Sequence, residues 1–165
     1  MTHGLDVLSP KGQKAIEDLR KGLALVGHRY IETNQDRDAD IDGFFLTDDG
    51  RTILAAYEGK ARDMTLDQLR RSFDNEWILT FDKISKGAAI ARALRVPLHG
   101  VIYLVPDNVA LVIKLTDSLG NIITPLRTAV TETKANCNGG KAIRTNAYVR
   151  MDKARVCRAT EQEAA

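Results

Sequence analysis

The chain has 165 residues, 44% of them hydrophobic and 28% charged. That length and balance suit one globular domain with a real core, and they exclude a disordered chain and a coiled coil. The formal net charge of +2 hides a split: Met1–Gly50 carries six Lys/Arg against ten Asp/Glu, and Lys134–Arg158 carries seven Lys/Arg against Asp152 alone.

In chain order, Ser9-Pro10 is a helix start, and Ala15, Ile16, Leu19, Leu23 and Val26 fall at helical spacing before a stop at Gly27. The spacing predicts a helix over Pro10–Val26. His28–Thr33 reads as a short strand. Ile41–Thr47 and Arg51–Arg62 read as the two strands of a hairpin around Asp48-Asp49-Gly50. Thr65 is placed to cap a helix with Leu66, Leu69 and Phe73 on one stripe. A further helix is expected over about Asp82–Arg95, with Ile84, Ala88, Ala91 and Leu94 on one side, ending before Pro97. Val101–Val105 and Val109–Leu115 form a second hairpin pattern, and Asn121–Arg127 a weaker strand. The expected class is α/β (α+β), a central mixed β-sheet flanked by helices. Residues 1–130 make the core, and 131–165 a basic, Asn/Gly-containing C-terminal extension of the same domain.

Several chemistries lose their main support. Cys137 and Cys157 lie in no CxxC or zinc-finger spacing, and His3, His28 and His99 stand alone. HExxH, GxSxG, GxxxxGK[ST] and GxGxxG are missing. No apolar run approaches the ~20 residues of a membrane span, and the N-terminus lacks a signal-peptide layout. The expected setting is therefore cytoplasmic, with no membrane partner.

The pattern that carries chemistry lies in the first hairpin. Alternate residues of a strand share a face, so Glu58 and Lys60 point the same way, with Leu54 and Ala56. Counting back from the turn brings Asp42 opposite residues 56–58. Two carboxylates and an ammonium converge there, on a strand whose lead-in, Ile53-Leu54-Ala55-Ala56-Tyr57, is apolar on both faces. Charges in such a central strand must be paired or bind something.

A helix, a strand with Asp, a short turn and a strand with Glu-x-Lys resemble the PD-(D/E)xK nuclease core. The matching pieces are Asp42 in Asp40-Ile41-Asp42-Gly43-Phe44-Phe45-Leu46 and Glu58-Gly59-Lys60 in Ala56-Tyr57-Glu58-Gly59-Lys60. That family includes restriction enzymes, Holliday-junction resolvases, phage exonucleases and some homing endonucleases. The likeness covers roughly Pro10–Leu115. Ile41 stands where the motif has Pro, and Asp40 competes with Asp42 for the role of metal-facing carboxylate. The resemblance implies a restriction-endonuclease-like core. It further implies Mg²⁺ (with Mn²⁺ as a substitute) held by Asp42, Glu58 and the Gly59 carbonyl, with Lys60 on the attacking water. Glu17 falls where many members carry a helix glutamate, and Arg62 and Gln68 are secondary candidates near the phosphate.

The basic stretch adds a DNA-contacting loop or ribbon. Lys134, Asn138, Lys141, Arg144, Asn146 and Arg150 supply phosphate and base-edge donors. The expected function is a Mg²⁺-dependent DNA endonuclease, site-specific and homodimeric because each chain supplies one cleavage site. The alternatives are a Holliday-junction resolvase and a non-catalytic nucleic-acid-binding module on the same fold. A third is a small interaction domain whose hairpin charges are structural.

Overall fold

The structure is a computed structural model that describes residues 9–34, 39–132 and 141–160. Helix α1 (Pro10–Val26) begins where the Ser9 hydroxyl accepts the Gly12 N–H and ends at Gly27, whose φ of 84° suits a residue without Cβ. Strands β1 (Arg29–Glu32), β2 (Gly43–Leu46) and β3 (Ile53–Arg62) follow as an antiparallel meander. Next come α2 (Leu66–Ser72), β4 (Glu76–Thr80) and α3 (Phe81–Ala93), which return the chain to β5 (Leu98–Leu104), parallel to β3. Strands β6 (Val109–Lys114), β7 (Leu126–Glu132), β8 (Ile143–Arg150) and β9 (Arg155–Arg158) complete the order.

Two sheets result, one of six strands in the order β1-β2-β3-β5-β6-β9 and one of three in the order β4-β8-β7. The larger sheet is mixed, because β3 and β5 run parallel and its other pairs antiparallel. One of its faces takes α1, with Leu23 and Val26 packed among Phe45, Tyr57, Val101 and Val112. The opposite face carries Ala56, Leu98, Ile102 and Leu104, covered by Ile84 and Ala91 of α3 and by Trp77, Leu79, Ala147 and Val149 of the smaller sheet. Strand β3 lies between β2 and β5 and is covered on both sides, as its apolar lead-in required. Among the described residues no helix is long and apolar enough to cross a membrane.

Four sequence expectations change. Glu76–Thr80 is a strand that the sequence reading passed over, with Trp77 and Leu79 inward and Ile78 exposed. The strand expected over 121–127 starts only at Leu126. The Asp117 carboxylate instead accepts the N–H groups of Leu119 and Asn121 and holds that stretch in a turn. Third, the basic segment over 141–158, expected as a loop or ribbon extending the core, is built into both sheets. Strand β8 is the central strand of the smaller sheet, burying Ala147 and Val149, and β9 is an edge strand of the larger one. Phe73 and Leu94, expected on apolar helix stripes, sit at C-caps and are exposed.

Candidate functional site

The β2–β3 register pairs Gly43 with Tyr57. Continued by one residue, it sets Asp42 across from Glu58. Asp42 itself lies in a bend just before β2, not on the strand. Its main chain still joins the sheet: its N–H donates to the Tyr57 carbonyl at 3.1 Å, and its carbonyl accepts the Thr33 N–H at 2.9 Å. The Asp42 carboxylate turns onto the edge of β3, where Oδ2 accepts the Gly59 N–H at 2.7 Å. A residue's N–H and C=O leave an extended strand on the same side, so the Gly59 carbonyl points along that edge too, past the end of β2.

Glu58, Lys60 and Arg62 share the other orientation. In the parallel pairing they stand beside Gly100, Ile102 and Leu104, on the face toward α3 and the smaller sheet. Glu58 is only 1% exposed, while Lys60 and Arg62 are half-buried. Burial pushes the Arg62 guanidinium below its ordinary value, and its Nη1 donates to the Ala61 carbonyl at 3.1 Å. Beside Glu58, Gly100 admits the Trp77 ring: a Cβ there would fall 2.5 Å from the indole Cζ3. The Trp77 Nε1 is buried with no hydrogen-bond partner among the described residues.

Glu17 is not brought to this face. It is exposed on α1, which packs on the opposite side of β3, with Leu19 against Gly59. The helix carboxylate turned inward is its neighbour Asp18, which sequence reasoning missed. Asp18 is 5% exposed and paired with Lys14 and Lys21; the Lys14 hydrogen bond, foremost, holds its carboxyl below the usual range. On the same side, Asp42 and Glu32 border a small pocket with Ile16, Leu19, Leu23 and Tyr57. The Tyr57 hydroxyl is buried there without a hydrogen-bond partner among the described residues, and burial, then the Glu32 and Asp42 carboxylates, push its pKa well above the ordinary phenol value and keep it protonated.

Gln68 has a structural task. Its side-chain oxygen accepts the Thr65 N–H at 2.7 Å, and its own N–H donates to the Thr65 hydroxyl, closing the capping box of α2. Lys134 and Asn138 lie outside the described residues. Arg144 is exposed on the outer face of β8, opposite Thr131. Asn146 donates to the Thr131 hydroxyl, Lys141 lies 3.5 Å from Glu132, and Arg150 holds Asp152 and the Asp74 carbonyl. Arg127, also unforeseen, grips Glu76 and lies 3.8 Å over the Tyr148 ring.

Among the described residues no three His, Cys, Asp or Glu side chains form a group able to hold a metal ion. The two carboxylates of the motif meet only in main-chain register: Asp42 borders the pocket on the α1 side, Glu58 is buried on the α3 side, and the Gly59 carbonyl lies on the strand edge between them. Such hard donors suit Mg²⁺, which commonly takes one or two carboxylates and completes its shell with water and substrate phosphate.

No family model, curated protein or solved structure matches the chain.

Proposed function

We propose that the protein is a Mg²⁺-dependent DNA endonuclease with a restriction-endonuclease-like core, acting in the cytoplasm as a homodimer. The observation that carries the reading is the Asp42 carboxylate tied to the main chain of β3 between Glu58 and Lys60, on an interior strand. Strand β3 is flanked by α1 on one face and by α3 on the other, and the chain returns parallel beside it through α3. That arrangement supports the nuclease-like core.

Asp42, Glu58 and the Gly59 carbonyl are the groups that would hold Mg²⁺. When bound, the ion neutralises phosphate charge and acidifies a coordinated water. The Gly59 N–H fixes one Asp42 oxygen and so orients the other. Lys60, on the Glu58 face, holds or deprotonates the attacking water with its ammonium or amine and offsets charge developing on the phosphate. Arg62, two residues further on the same face, is placed to grip a neighbouring phosphate. Arg144, with Lys141 and Asn146, supplies DNA contacts from the smaller sheet.

The test incubates the protein with supercoiled plasmid, linear duplex and a four-way junction, each in Mg²⁺, Ca²⁺ or EDTA. Mg²⁺-dependent cutting that disappears in Lys60→Ala and Asp42→Ala is the expected result. DNA binding without cleavage in Mg²⁺ would sink the nuclease reading. Cleavage surviving both substitutions would sink the site. Cutting confined to the junction would reassign the enzyme as a resolvase.

A further inference from the structure

The smaller sheet has an open edge. Arg150 N–H donates to the Pro125 carbonyl, which sets the antiparallel alternation of β7 with β8. The opposed pairs 127–148, 129–146 and 131–144 exchange main-chain bonds, and the pairs between them do not. The bond from Met151 N–H to the Asn75 carbonyl gives the same alternation across β8, turning residues 147 and 149 toward β4. The amides and carbonyls of Thr128, Val130 and Glu132 therefore point away from β8. Among the described residues no strand pairs with that edge.

Proteins ordinarily blunt an open edge with lysine, proline, a bulge or a covering segment. Strand β7 has none of the first three over Thr128-Ala129-Val130-Thr131, and its register with β8 runs unbroken through seven pairs. The ribbon also outruns the core. Val130 and Ile143, on the face that further along carries Ala147 and Val149, are 69% and 77% exposed. The outer strands of the larger sheet, β1 and β9, have four residues each, and β9 carries Arg155 and Arg158.

We propose that β7 pairs antiparallel with β7 of a second copy, about a two-fold axis through Val130, joining two three-stranded sheets into one of six. The edge is self-complementary in this register. Paired residue numbers are then both even or both odd, so paired side chains share a face. The even residues, whose amides and carbonyls point outward on both strands, bond to one another. Val130 meets its counterpart on the axis, Thr128 meets Glu132, and Ala129 meets Thr131. No like charges are opposed over residues 128–132, and β-branched side chains fill the centre. The contact is isologous, as a closed dimer requires. It takes up the homodimer of the proposed function, on which it rests, and gives that homodimer an interface.

The test is the solution mass of the full chain by light scattering, which reads assembly independently of DNA cleavage. The expected mass is twice 18.2 kDa. Val130→Lys, which places two ammonium groups on the axis, should give a monomer with an unchanged circular dichroism spectrum, while Val130→Thr should remain dimeric. Val130→Cys in a Cys137→Ser background should cross-link on oxidation, since Cα atoms of a bonded antiparallel pair lie ~5.5 Å apart, within disulfide range. A monomeric wild type would overturn the proposal, as would a dimer that survives Val130→Lys. Should Val130→Lys fail to fold, absence of the cysteine cross-link overturns it. A dimer that cleaves no DNA would overturn the nuclease reading and leave this interface standing.

Discussion

At the scale of single residues, the sheet carries tight contacts that the sequence does not announce. Gly100 lies against the Trp77 ring, and a rigid indole has little room to yield. Gly100→Ala is expected to destabilise the fold by about 1–3 kcal/mol, measured by urea unfolding, with part recovered in Gly100→Ala/Trp77→Phe. His99 offers a pH signature. Burial, with Lys114, His28 and Arg155 facing it, pushes its imidazole down to about 4 from 6.5. Between those values the unfolded chain binds the proton and the folded chain does not. Stability is therefore full above pH 6.5 and falls as pH drops toward 4, by up to about 3 kcal/mol. His99→Gln should flatten that limb of the stability–pH curve; an unchanged slope would show that the imidazole is not its source. The Asp18 triad is legible in the sequence, because Lys14 and Lys21 stand four before and three after it, close enough on α1 for their exposed ammonium groups to reach its buried carboxylate. Glu17 resembles the family's helix glutamate by position alone, and its side chain is exposed.

At the scale of elements, local chemistry was legible wherever caps and turns are strong. The start and end of α1 follow from Ser9, Pro10 and Gly27, and the first hairpin from its Asp-Asp-Gly turn. The Thr65–Gln68 capping box holds the seven-residue α2. Thr65→Ala should therefore cost about 1 kcal/mol in thermal or urea unfolding, and Gln68→Glu, which keeps the acceptor, much less. Strand β4 was missed because its five residues alternate too briefly to stand out between two helices. Strand β8 does not stand out in the sequence because Lys141, Arg144 and Arg150 mark the stretch as a DNA-contacting loop or ribbon, although Ala147 and Val149 alternate with Asn146 and Tyr148. The register that sets Asp42 beside Glu58 was legible only to within a diagonal. The bulge between Phe45 and Leu46 decides it, and bulges follow from packing rather than from local propensity.

At the scale of the whole molecule, the acidic front and basic tail of the sequence do not become two opposed surfaces among the described residues. The front divides between α1, where Asp18 is neutralised by lysines, and the hairpin edge, where Asp42 binds main chain. The tail divides between β8 in one sheet and β9 in the other, and Arg150 and Lys141 already have carboxylate neighbours. DNA affinity should accordingly depend on few cations. Arg144→Ala is expected to weaken duplex binding at low salt and to reduce the slope of log affinity against log salt by about 1, as for one phosphate contact. An unchanged slope would remove Arg144 from the DNA face.

The central claim is that Asp42 serves chemistry as well as structure, and Asp42→Asn separates the two. Asparagine keeps an oxygen to accept the Gly59 N–H but loses the charge a divalent cation needs. Plasmid cleavage in Mg²⁺, measured beside urea unfolding of the same protein, is therefore the most direct measurement. The account predicts stability within about 1 kcal/mol of wild type and a loss of cleavage rate of about 100-fold or more, since one metal-holding charge is gone. Cleavage at the wild-type rate in Asp42→Asn would contradict it.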